Sequence, residues 1–186
     1  MNEEYIPRES LGRAFVREIY DWVEAAVIAV VCVVLVFTFA ARLAGVNGRS
    51  MNPTLKDRDR LIITRLFYSP HQGDIVVITK PNSQNEPLIK RIIAVGGQTV
   101  DIDFELGVVF VDDIVLSEGY IAEPTHRSYE VEFPQTVPEG CVFVMGDNRN
   151  MSWDSRAAEV GMVDERYILG KVVYRVLPYN KMGVPQ

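Results

Sequence analysis

From Ala25 to Ala41 the chain reads AAVIAVVCVVLVFTFAA, with no charge and with Thr38 as the one polar member. This run constrains the fold most, because a helix that is apolar all round has no face for water and needs lipid or a protein core on every side. At 1.5 Å per residue its roughly 17 residues reach about 26 Å, slightly short of a ~30 Å hydrocarbon core. Trp22 and Arg42 extend it, the indole at the interface and the guanidinium snorkelling outwards. A buried core helix and the apolar part of a cleaved leader are the other readings. The acids ahead of the run (Glu3, Glu4, Glu9, Glu18, Asp21 and Glu24) and its length argue against a leader. The expectation is an uncleaved transmembrane anchor over 22–42, preceded by an N-terminal segment 1–21 in which Leu11, Phe15, Ile19 and Trp22 recur at helical spacing. Sidedness stays open, because Arg8, Arg13 and Arg17 precede the run while Arg42, Arg49, Lys56, Arg58 and Arg60 follow it.

After Gly45 the pattern changes. Leu61–Thr64, Asp74–Thr79, Leu88–Val95, Val108–Val111, Glu130–Phe133, Val142–Met145 and Lys171–Val176 are short runs rich in β-branched residues, separated by Gly, Pro, Asn and Asp. Such spacing predicts a mainly β fold, an antiparallel sheet. The stretch 97–138 differs in character, with hairpin-like pieces such as FELGVVFVDD. It reads as a small β subdomain inserted into a catalytic β domain made of 43–96 and 139–186. A net charge of −6 argues against nucleic acid as a partner. Cys32 and Cys141 lie in the apolar run and in a strand-like segment, so the fold does not rely on a disulfide.

The chemistry is narrowed first by what is missing. Two distant histidines, His71 and His126, and no cysteine pair give no metal-ligand spacing, and neither histidine sits in a Ser–His–Asp motif. No phosphate-binding glycine loop is present, and no cofactor is implied. Three stretches stand out. RSMNPTL (49–55) offers Ser50 as a loop serine or as a nucleophile that needs a base. In PLIKRIIAV, Lys90 alternates onto a face with Leu88, Ile92 and Ala94. There it is either a solvated edge lysine or a buried one, whose lowered pKa suits a general base. Arg91, on the other face, suits a structural ion pair. GDNRNMSWDSR (146–156) carries more serines, acids and arginines than a turn needs, and reads as a solvated loop or a hydrogen-bonded scaffold.

Taken together, SMNPTL, GDIVV (73–77), IKRIIAVGG (89–97) and GDNRNMSWDSR resemble, in order, the boxes of bacterial type I signal peptidases. VPEGCVFVMGDNR and GKVVYRVLPYNKMG are also similar, and the resemblance covers roughly 22–183. It implies a membrane-bound serine protease that removes signal peptides from exported preproteins, cutting after small residues of the Ala-X-Ala type. Carried over by position, Ser50 is the nucleophile and Lys90 its general base. Ser152 hydrogen-bonds the lysine, Met51 packs beside it, Asp154 and Arg156 form an ion pair beneath the site, and Asp147 and Arg91 give further support. The backbone N–H of Ser50 is one oxyanion donor. Some members place a serine two positions ahead of the nucleophile as the other, but this chain has Gly48 there, so its second donor is unassigned. The implied partners are preprotein signal peptides and the lipid bilayer. The resemblance also implies a cytoplasmic N-terminus and a catalytic domain that faces outward, as in the single-span Gram-positive type. Two alternatives differ in class. A self-cleaving Ser–Lys protease of the SOS-repressor kind shares the dyad but not the apolar run. A non-catalytic anchored β domain, an inactive homologue that binds an envelope partner, would have lost at least one of Ser50, Lys90 and Ser152.

Overall fold

The computed structural model describes residues 8–39, 41–79 and 86–185. The chain forms two compact units, divided after Ala40. Its first unit contains, among the described residues, one long helix, α1 (Arg8–Phe39). Its described side chains end at Leu35, short of the end of the apolar run. Among the described residues no helix is long and apolar enough to cross a membrane. Arg42, expected to close the span, instead opens the first strand of the β unit.

That unit is built from β1 (Arg42–Gly45), β2 (Arg60–Thr64), β3 (Ile75–Ile78), β4 (Leu88–Val95), β5 (Thr99–Asp103), β6 (Val108–Val111), β7 (Ile114–Val115), β8 (Gln135–Thr136), β9 (Cys141–Met145), β10 (Val163–Asp164) and β11 (Ile168–Leu177). Seven strands form one sheet in the order β1-β2-β11-β3-β4-β9-β10, and four form another in the order β7-β6-β5-β8. All the pairings are antiparallel. The fold is therefore mainly β and antiparallel, and every strand of the smaller sheet comes from residues 99–136.

β3 is buried at every position, as in a strand covered on both faces. Ile75 and Val77 pack with Leu61, Ile63 and Ile89, together with Met51 and Leu55. Val76 and Ile78 pack in another cluster with Ile92, Val144 and Ile168. A third cluster joins the sheets, setting Ile93, Ala94, Phe143 and Met145 against Val100, Ile102, Val109 and Val111.

Two sequence expectations are corrected. A register shift between Ile92 and Ala94 breaks the alternation of β4, so Ala94 joins Ile93 in the inter-sheet core instead of sharing a face with Lys90. Glu130–Phe133 is not a strand: the Val131 N–H donates to the Arg156 carbonyl, and Phe133 wedges between Phe104 and Phe143.

Candidate active site

Ser50 sits on a turn that the sequence holds from three sides. Ahead of it, the Val46 N–H donates to the Asp59 carbonyl and the Arg58 N–H to the Val46 carbonyl, both at 2.9 Å. Gly48 takes φ +87°, a backbone region in which a Cβ is strained. Its N–H donates to Asp57 Oδ1 at 2.9 Å. Behind the turn, Met51 and Leu55 are sunk into the core. From the side, the Asn148 N–H donates to the Ser50 carbonyl at 2.9 Å and its amide donates to the Arg49 carbonyl at 3.1 Å. Arg175, on β11, donates to the Thr54 carbonyl at 2.9 Å.

Lys90 reaches this turn from β4. Its Nζ lies 2.9 Å from Ser50 Oγ, and the residue is 3% exposed. Burial pulls its pKa down from the ordinary lysine value to about 8. The nearby Asp154 charge opposes that shift, Arg156 adds to it, and Asp147 opposes it again. A buried amine can thus exist neutral near physiological pH, in contact with a hydroxyl whose proton it is placed to accept. Any reaction that needs the neutral amine should lose rate as pH falls through about 8. A kcat/KM profile measured from pH 6 to 10 should rise with an inflection near that value. A profile still climbing at pH 10 would mean that the amine behaves as a solvated lysine (~10.4).

The loop 146–156 is a buried scaffold. Arg91 grips Asp147 through two hydrogen bonds of 2.9 and 2.8 Å. It also donates to the Gly73 carbonyl, and its guanidinium lies 3.9 Å from the centre of the Tyr120 ring. Asp154 and Arg156 are fully buried and joined at 2.8 and 3.0 Å. Burial alone would push the Asp154 carboxyl up, but the Arg156 bond and charge and the Gly146 N–H outweigh it and hold the acid below the usual range.

Ser152 is the exception among the expected contacts. Its Oγ, buried beside Gly146, makes no bond to Lys90 among the described residues, so the expected contact is not formed, and the hydroxyl instead helps to hold the Asp154 carboxyl low. Lys90 Nζ donates to Ser50 Oγ. A Cβ at Gly146 would collide with both Ser152 Oγ and the Ser50 carbonyl oxygen, well inside van der Waals contact. Gly146→Ala should therefore cost about 1–3 kcal/mol, measurable in denaturant, and should lower activity further by displacing the Ser50 turn.

Sequence reasoning assigned no role to Arg149, which is fully buried. It pairs with Glu118 and donates to Thr125 Oγ1 at 3.0 Å and to the Gly146 carbonyl at 3.1 Å. It thereby ties the segment around 118–125 to the scaffold loop. The signal was available: a third arginine pair requires an acid, and that acid lay in the stretch read only as an insertion. Asn148 was likewise visible in the loop, but its contact with residues almost a hundred positions away was not.

A serine hydroxyl in contact with a buried amine of lowered basicity, on an antiparallel β scaffold, is the arrangement of a serine hydrolase site. Comparison with known proteins narrows this class. The family model for "Signal peptidase, peptidase S26" matches residues 19–177. The chain is 36% identical over 166 residues to a probable signal peptidase I-1 of Synechocystis, covering 84% of this chain and 81% of that protein. It is 34% identical over 174 residues to signal peptidase I of Bacillus licheniformis, covering 88% and 91%. A chloroplastic thylakoidal processing peptidase 1 of Arabidopsis thaliana is 37% identical over 86% of this chain and 49% of its own length. The chain belongs to the signal peptidase family, peptidase S26, and is a peptidase of the signal peptidase I type.

Proposed function

We propose that this chain is a membrane-anchored endopeptidase that removes signal peptides from exported preproteins, with Ser50 as nucleophile and Lys90 as general base. The observation that carries the reading is the 2.9 Å contact between Lys90 Nζ and Ser50 Oγ, made by a lysine that is almost wholly buried. With the amine neutral, the donor and acceptor roles in that contact reverse. Ser50 Oγ gives its proton to Nζ as it attacks the scissile carbonyl carbon. The developing oxyanion takes the Ser50 N–H as one donor. The lysine then passes the proton to the departing amine, leaving an acyl-serine. In the second half Lys90 takes a proton from water, which attacks the ester, and returns it to Ser50 Oγ as the C–O bond breaks and the acid leaves. Arg91–Asp147 and Asp154–Arg156 hold the scaffold beneath this pair, and Met51 excludes water beside it.

The substrate reading rests on strand edges and on size. β1 is an edge of the larger sheet, and residues Leu88–Lys90 of β4 pair with β3 but not with β9. An extended peptide can add to such edges by main-chain hydrogen bonds. Between them lies a cavity of about 60 Å³, lined by Val46, Met51, Leu88 and Ile89, with Ser50 and Lys90. That space suits a small side chain such as alanine and supports Ala-X-Ala selectivity. Residues 43–96 and 139–186 then form the catalytic domain, with 97–138 as the inserted subdomain. The uncharged run 25–41 supports an anchor that starts at Trp22 and ends before β1 at Arg42, with residues 1–21 in the cytoplasm and the β unit on the outer face of the cell membrane. Anchoring raises the effective concentration of a membrane-held substrate.

The test is mass-spectrometric mapping of the cut site in a model preprotein presented in lipid vesicles. A single cut after a small residue, absent with Ser50→Ala, is the expected result. Cutting that survives Ser50→Ala, or falls after bulky residues, would refute the reading.

A further inference from the structure

Directly after β2 the chain makes a tight turn. The Tyr68 N–H donates to the Arg65 carbonyl at 3.3 Å, which leaves Leu66 and Phe67 at the corner. Both flanks are fixed: the Leu66 N–H donates to Thr64 Oγ1 at 3.3 Å, and the Tyr68 hydroxyl to Asp74 Oδ2 at 2.8 Å. The corner residues face outward. Leu66 is 53% exposed and Phe67 97%, and Phe67 takes φ +51°, a region strained for a bulky side chain. Neither burial nor backbone preference accounts for a phenylalanine here, since glycine or asparagine suits such a corner better. A rigidly presented apolar pair gains free energy when something apolar covers it.

The register of the sheet shows what lies nearby. Pairing sets Arg42 opposite Ile63 and Gly45 opposite Arg60, so the turn leaves β2 at the end where β1 begins. β1 in turn begins directly after the uncharged run 25–41, and its second residue, Leu43, is exposed as well. The charges at this end are mixed. Beside Arg42 and Arg65 stand the pairs Lys171–Asp74 and Arg166–Asp164, with Glu165 near Tyr68. Arg65 itself donates to the Arg166 carbonyl at 3.5 Å. The apolar corner, not a net charge, therefore selects what docks here.

We propose that Leu66 and Phe67 form a membrane-docking tip, which inserts into the lipid bilayer beside the point where the anchor leaves it. This inference rests on the anchored reading above. The β unit then meets lipid at two points of one sheet end, the start of β1 and the tip. The Ser50 turn follows the opposite end of β1, about 10 Å further along the strand. A single tether leaves the β unit free to rotate about it, and a second contact removes that freedom. The tip thereby fixes the height and tilt of the site over a substrate held in the same bilayer.

The test uses the full chain reconstituted in phosphatidylcholine vesicles, with and without bromine on the acyl chains just below the headgroup, where it quenches indole on contact. Wild type carries Trp22 and Trp153, and its emission should fall in brominated lipid because Trp22 lies at the start of the anchor. Phe67→Trp adds an indole at the tip, and Ile114→Trp adds one at another exposed position, on the smaller sheet. The emission added by Phe67→Trp should be mostly lost in brominated lipid, whereas that added by Ile114→Trp should be unchanged. The loss at the tip should persist in about 1 M salt, which screens charges but not apolar contact. A loss that salt abolishes would assign the contact to the arginines and overturn the tip. If the Phe67→Trp indole is quenched no more than the Ile114→Trp indole while Trp22 is quenched, the tip is refuted and the anchored reading stands. If wild type is not quenched at all, the anchored reading and the tip fail together.

Discussion

Lys90→Met is expected to abolish cleavage while leaving the chain folded and, at neutral pH, more stable than wild type. Methionine nearly matches the length of the lysine stem and fills a site that is 3% exposed, so it leaves no large cavity. Loss of a general base costs about 10²–10⁴ in rate. Loss of either half of a nucleophile–base unit costs about as much as loss of both, so Ser50→Ala, Lys90→Met and the double variant should be equally inactive. The stability gain has its own signature. Burial lowers the Lys90 pKa to about 8, whereas in the unfolded chain it is ordinary, ~10.4. Below pH 8 both states carry the charge, and the folded state bears the cost of burying it, on the order of 3 kcal/mol. Between about pH 8 and 10.4 the unfolded chain holds a proton that the folded chain has released, so wild-type stability climbs with pH. Lys90→Met should remove that climb, and urea unfolding at pH 7 and pH 10 would read it directly. If Lys90→Met kept more than about a tenth of wild-type activity, the dyad assignment would be wrong.

The strands were legible where residue type and alternation agreed. Leu88–Val95 and Val108–Val111 are strands with the bounds that the sequence suggests. Thr99–Asp103 went unrecognised because its acids mask the alternation, although Val100 and Ile102 are the buried pair of that strand. Glu130–Phe133 has the right pattern but the wrong partners. Tyr129 donates to the Ser152 carbonyl at 2.7 Å and Val131 to the Arg156 carbonyl, so the segment straps the scaffold loop instead of joining a sheet. The same limit applies at the site. Ser50, Lys90 and the loop 146–156 stand out as residue types in unusual company, whereas the Asn148 and Arg175 contacts depend on which distant backbone carbonyl the fold brings within reach, and those of Arg149 on the distant side chains of Glu118 and Thr125. Whether Lys90 is solvated or buried could not be read from alternation, since both readings share the same strand face. Burial by the Ser50 turn, with Met51 packed behind it, decides it.

Asp154→Ala should be among the most destabilising single substitutions in the β unit, costing about 3–5 kcal/mol, because it strands a buried guanidinium. Arg156 is fully buried and donates to both Asp154 oxygens, to the Arg127 carbonyl at 2.7 Å and to the Arg149 carbonyl at 2.6 Å. Removing the carboxylate leaves two carbonyls to serve a full charge away from water, and it also orphans the Gly146 N–H. For a chain of this size the loss corresponds to a drop of roughly 6–20 °C in Tm. Restoring neutrality with Asp154→Ala/Arg156→Met should recover a large part of it, since most of the cost is the unpaired charge and not the lost bond. The pH dependence separates this from a simple packing defect. The Asp154 carboxyl is held below the ordinary range, so its stabilisation is fully present above the usual carboxyl pKa (~3.9). It is lost only as pH falls through the lower folded value. The gap between wild type and Asp154→Ala should therefore close only below about pH 4, apart from a change near pH 8, where Lys90, whose charge Asp154 favours, titrates. A gap under about 1 kcal/mol at pH 7 would show that the ion pair is not what holds the loop beneath Ser50 and Lys90.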